Sequence, residues 1–148
     1  MERGSAIFRV TMSCFILMVA VPAGVMAAEA PSMRKSAAAP GESISPKDAA
    51  AKVQKGQAVL VDVREHDETI LGMAAPAKEM PLSEAQANTS KWQSFVQSLP
   101  KDKEIIVYCR SGRRSGIVGG MLTERGFTVK NMGGFQGWVY AGLPVKKP

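Results

Sequence analysis

Two short runs of the chain, Ala58-Val-Leu-Val-Asp-Val and Glu104-Ile-Ile-Val-Tyr-Cys, are apolar at consecutive positions rather than at every second one. A strand with one wet face alternates, so strands that do not alternate are covered on both faces. Such strands lie side by side in parallel sheets, and each parallel pair needs a crossover, usually a helix. The rest of the sequence supplies helices. Ser45-Pro-Lys-Asp combines a capping serine, a proline for the first turn and an acid three residues on, and the segment runs to Gly56. Further helices are expected over residues 83–98, 116–125 and 134–141, with a third strand at Phe127-Thr-Val. The expected fold is α/β: a single domain with a parallel β-sheet and helices on both faces.

The start of the chain reads differently. Arg3 and Arg9 outnumber Glu2, and residues 10–21 are almost wholly apolar until Pro22 and Gly24 break the run. A membrane-crossing helix needs about 20 such residues, and a secretory signal roughly 7 to 15. Val25-Met26-Ala27 offers suitable side chains for cleavage before Ala28. Residues 1–27 are therefore expected to be a signal peptide, exporting the protein to the periplasm or the medium, with membrane attachment only if the signal stays uncleaved. Cys14 lies inside the apolar run, not after it where a lipid-modified cysteine would stand. Residues 28–43, rich in Ala, Pro and Ser, are expected to be a flexible linker. The folded domain is expected over 44–148.

Composition removes several function classes. With 45% apolar and 22% charged residues the chain is ordinary for a globular protein. Two cysteines, Cys14 and Cys109, and one histidine, His66, are too few for a disulfide scaffold or a Cys/His zinc cluster. No metal or cofactor is expected, and G-x-G-x-x-G does not occur. A net charge of +6 favours anionic partners. The basic residues are not interleaved with aromatics, so nucleic acid is not expected among them. His66 is expected to be an exposed loop residue, and Trp92 and Trp138 to be core.

Cys109 ends the second apolar run and is followed by Arg110-Ser-Gly-Arg-Arg-Ser and then a helix. In open parallel sheets, ligands sit beyond the carboxyl ends of the strands. Turn amides and a helix N-terminus favour an anion there, and Arg110, Arg113 and Arg114 add cations. Such surroundings lower a cysteine pKa from about 8.5 to between roughly 3.5 and 7.5. The expectation is an anion-binding pocket around an activated sulfur nucleophile. An inert buried cysteine is the alternative.

These residues carry a family resemblance. Cys109-Arg-Ser-Gly-Arg-Arg-Ser resembles the active-site loop of rhodanese-type sulfurtransferases, which follow a C-x-x-G-x-R pattern. Leu60-Val-Asp-Val-Arg-Glu resembles their first-strand motif, and Asn131-Met-Gly-Gly-Phe-Gln-Gly-Trp with Ala141-Gly-Leu-Pro-Val resembles their C-terminal segment. The resemblance covers residues 44–148. It implies a Cys109 persulfide that carries sulfur from thiosulfate, or another small anionic donor, to cyanide or a thiol acceptor, which can be a protein thiol. It further implies that Arg110 and Arg113 hold the donor, that Arg114 braces the loop or completes the pocket, and that the amides from Ser111 through Gly112 to Ser115 stabilise the sulfur. Asp62 and Arg64 are implied as structural support. One position departs: Met73 stands where the family usually has histidine.

Two other functions would use a similar loop. Cysteine phosphatases need arginine six positions after the cysteine; that position is Ser115, and Arg114 arrives one residue early. A non-catalytic module that carries a persulfide for a partner protein, or merely binds an anion, would keep the same loop.

Overall fold

Both non-alternating runs become strands that are flanked on either side. The structure, a computed structural model, describes residues 42–147. The expected signal peptide, and all but the last two residues of the expected linker, lie outside the described residues. Those two, Glu42–Ser43, form an edge strand, β1, and are not linker. After helix α1 (Pro46–Gln54) come β2 (Ala58–Asp62) and a short helix α2 (His66–Thr69). Then follow β3 (Met73–Ala74), β4 (Lys78–Glu79), α3 (Leu82–Gln86) and α4 (Ser90–Ser98). The chain continues through β5 (Glu104–Cys109), α5 (Arg113–Glu124), β6 (Thr128–Gly134), α6 (Phe135–Tyr140) and β7 (Val145–Lys146).

Five strands make one sheet in the order β1–β6–β5–β2–β4, all parallel. β3 and β7 pair separately and antiparallel. The odd side chains of β5, Ile105, Val107 and Cys109, face the same core as Val118 and Leu122 of α5 and Trp92 of α4. The even ones, Ile106 and Tyr108, join Leu60, Ala49 of α1 and Trp138 of α6 in a second core. Helices thus cover both faces, as the apolar runs require. Ser45 caps α1 by accepting the Asp48 amide at 3.2 Å.

Three local readings change. The helix expected over 83–98 is broken: Asn88 adopts a left-handed φ of 48°, α3 ends before it, and Thr89 caps α4 through the Trp92 amide. The helix expected from 116 begins at Arg113, so Arg113 and Arg114 belong to its first turn rather than to the loop. His66 opens α2 instead of lying in a loop; it is exposed, with Nδ1 3.0 Å from Glu79. Met73, in place of the family histidine, is buried in the second core.

The strand order reverses between β2 and β5. The chain leaves β2 towards β4 on one side, and leaves β5 towards β6 on the other. Loops following such neighbours diverge and open a crevice at the carboxyl edge. The segment after β2, the loop after β5 and the start of α6 meet there.

Candidate active site

Cys109 is the last residue of β5, placed beside Gly134 of β6. The loop then turns within three residues, because Gly112 adopts φ 95°, a conformation costly for any side chain. The approach to β6 is equally tight: a Cβ on Gly134 would lie 2.6 Å from the Arg110 carbonyl oxygen. The two glycines let the loop fold back over its own sulfur. The Gly112 amide donates to Cys109 Sγ at 3.1 Å. The Ser115 hydroxyl lies 3.6 Å from the sulfur, 2.8 Å from Asn131 Oδ1 and 3.0 Å from the Gly112 carbonyl. Asn131 Nδ2 donates to that same carbonyl at 3.0 Å, tying the loop to β6.

Burial pushes the Cys109 thiol up, but the Ser115 amide and hydroxyl and the amides of Ser111 and Gly112 outweigh it, and the thiol ends below its ordinary range. The arginines are less uniform than the sequence suggested. Arg114 makes a two-pronged ion pair with Glu68 at 2.5 and 2.9 Å, and its guanidinium also lies close enough to interact with Cys109. Arg110 is exposed and lines a cleft of about 420 Å³. Arg113 is exposed at the first position of α5 and is not among the residues lining that cleft. Ser111 is exposed and Ser115 buried.

The cleft is also lined by Arg64, Glu68, Leu71, Gly72, Phe135 and Gln136. Asp62 and Arg64 are both buried. Their contacts measure 3.0, 3.1 and 2.7 Å, and Arg64 also donates to the Gly72 carbonyl at 2.7 Å. Its guanidinium lies 4.2 Å from the centre of the Phe135 ring, within cation–π range. Arg64 therefore supports the segment after β2 and also presents charge to the cleft. Cys109 is 0% exposed and is not one of the lining residues.

Sequence reasoning missed Glu68, Asn131 and the cleft-facing Phe135 and Gln136. Asn131 and Phe135 lay within a quoted motif without an assigned task. For Glu68 the sequence signal was its spacing from Glu65, with which it forms a capping box on α2. The ion pair with Arg114, forty-six positions away, leaves no local trace.

Known proteins resemble the chain in sequence and in fold. The sequence model of the Rhodanese-like domain family matches residues 45–141. A sulfurtransferase of Allochromatium vinosum is 34% identical over 92 residues, covering 61% of this chain and 79% of that protein. The thiosulfate sulfurtransferase GlpE of Glaesserella parasuis is 31% identical over 107 residues, covering 70% of this chain and 91% of its own. Among solved structures, a rhodanese-related protein from Thermoplasma volcanium matches with a TM-score of 0.60 and 30% identity, over 72% of this chain and 99% of that one.

Proposed function

The chain belongs to the rhodanese-like domain family, and from that premise we propose that this sulfurtransferase moves a sulfane sulfur from thiosulfate, or a similar anionic donor, to cyanide or a thiol through a persulfide on Cys109. The observation that carries the proposal is the cup of donors around one sulfur: the amides of Ser111, Gly112 and Ser115 and the Ser115 hydroxyl lower the thiol pKa against the effect of burial. A thiolate so held is a competent nucleophile, and the same amides are the donors we assign to the persulfide.

Two displacements follow. The Cys109 thiolate attacks the outer sulfur of thiosulfate; the new S–S bond forms as the old one breaks, and sulfite leaves with the electron pair. An acceptor nucleophile then attacks the outer sulfur of the persulfide. Cyanide leaves as thiocyanate, a thiol as a new persulfide, and the Cys109 thiolate is restored. Arg110, exposed on the cleft, is the group we assign to the donor's oxyanion. Arg64, held by Asp62, adds a second cation to the cleft wall, and Arg114 is paired with the wall residue Glu68. Arg113, outside the cleft lining, is given a lesser part.

The phosphatase alternative lacks its anion-binding arginine, since the sixth position after Cys109 is the buried Ser115. The apolar run at residues 10–21 supports export as the place of work. The proposal is tested by steady-state thiocyanate formation from thiosulfate and cyanide with the full chain. Turnover with parallel-line kinetics, abolished in Cys109→Ser, supports it. A wild-type chain that forms no thiocyanate, and passes no sulfur to a thiol, overturns it.

A further inference from the structure

The cleft and the sulfur do not touch. Glu68 stands in the cleft wall, Arg114 grips both of its carboxylate oxygens, and Arg114 belongs to the first turn of α5, whose Ser115 hydroxyl lies 3.6 Å from Sγ of Cys109, a residue with no exposed surface. Glu68 and Arg114, both partly exposed, thus connect the cleft wall to the turn that encloses the sulfur. Nothing in the two-step chemistry requires a carboxylate in this position, and a negative charge in the wall opposes an anionic donor.

We propose that Glu68 is a positioning residue that works as a removable gate: it holds Arg114 across the route from the cleft to Cys109 until an anionic donor takes the carboxylate's place on the guanidinium. This deepens the sulfur-transfer reading and rests on it. A planar guanidinium donates to two oxygens of a carboxylate or of a sulfonate-like group in the same fork geometry. Exchanging one anion for the other keeps Arg114 paired, whereas a neutral reagent offers nothing in return for opening the pair. The pair can open at modest cost, because its side chains remain 21% and 27% exposed and partly exposed ion pairs are weak. The gate shields the thiolate from neutral electrophiles while the site is empty.

The test uses the reduced full chain and the neutral reagent iodoacetamide. Labelling is read at the Cys109 peptide by mass, so that Cys14 does not contribute. Rates are compared at equal thiolate fraction, taken from the pH dependence of labelling in each protein. Glu68→Gln is expected to label about fivefold faster than wild type, the scale of one partly exposed ion pair, and to lower the thiosulfate KM by a similar factor. Sodium chloride is expected to speed labelling of the wild type, by screening the pair, and to leave Glu68→Gln unchanged. A brace rather than a gate gives the opposite signs: slower labelling and a raised KM in Glu68→Gln. That result, or wild-type labelling indifferent to salt, overturns the proposal. Labelling involves no sulfur transfer, so the two readings fail separately. A chain that labels as expected but turns over no donor loses the activity and keeps the gate.

Discussion

Ser115→Ala removes one hydroxyl and leaves the backbone amides in place, so it isolates a single donor to the sulfur. In the wild type that hydroxyl has three acceptors within reach: Asn131 Oδ1 at 2.8 Å, the Gly112 carbonyl at 3.0 Å and Cys109 Sγ at 3.6 Å. One proton serves them all. A hydrogen bond to a charged group is worth about 1.5–3 kcal/mol, and this long, shared one belongs at the lower end. One pKa unit corresponds to about 1.4 kcal/mol, so the substitution is expected to raise the Cys109 pKa by about one unit. The sign follows from the wild type, where donors outweigh burial and hold the thiol below its ordinary range; removing a donor moves it back up. On the acid limb of the pH–rate curve, reactivity then falls about tenfold. The fold is little affected, because the Gly133 amide still donates to Asn131 Oδ1 and Asn131 Nδ2 to the Gly112 carbonyl. The assay is the rate of iodoacetamide labelling at the Cys109 peptide across pH, for both proteins as full chains. Coincident midpoints for wild type and Ser115→Ala would refute the assignment of the hydroxyl to the thiolate.

Other substitutions separate loop shape, charge and support. Gly134→Ala puts a methyl against the Arg110 carbonyl; it is expected to cost about 1–3 kcal/mol in thermal or urea denaturation and to raise the Cys109 pKa as the loop is pushed off its sulfur. Asp62→Ala leaves the buried Arg64 guanidinium without its carboxylate, and a loss of about 3–5 kcal/mol is expected in the same denaturation measurement. Arg110→Ala, which removes the exposed cation of the cleft, is expected to raise the thiosulfate KM about tenfold, with a smaller change when a neutral persulfide is the donor. Stability should also fall with acid: Arg114 holds the Glu68 carboxyl below its usual range, so its contribution is complete above the unfolded-state pKa and is lost as pH drops through the folded one. Thermal melts of wild type and Glu68→Gln should converge there.

Legibility in the sequence followed how local each cause is. β2 and β5 could be read because burial on both faces leaves an uninterrupted apolar run, and α1 because Ser45, Pro46 and Asp48 sit together. β6 was read only as far as Val129. Lys130, Asn131 and the two glycines lack strand character, and their pairing with β5, including the irregularity at Val107/Tyr108, comes from the neighbouring strand. The break at Asn88 was hidden because helical spacing continues across it, and only the left-handed φ of one residue redirects the chain. At the candidate site, the position of Cys109 at a strand end and the glycine in its turn were visible as a contiguous motif. What each arginine does was not. Arg110, Arg113 and Arg114 look alike in sequence, and they differ only through what lies opposite each: open cleft, bulk solvent, and a carboxylate from the segment after β2. Long-range partners such as Glu68 and Asn131 leave no periodicity to detect.

The most direct measurement is a single turnover. Reduced full-length protein is mixed with one equivalent of thiosulfate and no acceptor, and the Cys109 peptide is weighed while released sulfite is titrated. One added sulfur atom on that peptide, sulfite in matching amount, and complete loss of the adduct on adding cyanide are expected. A peptide of unchanged mass in protein whose thiol is reduced and reactive would contradict the assignment of Cys109 as the sulfur carrier.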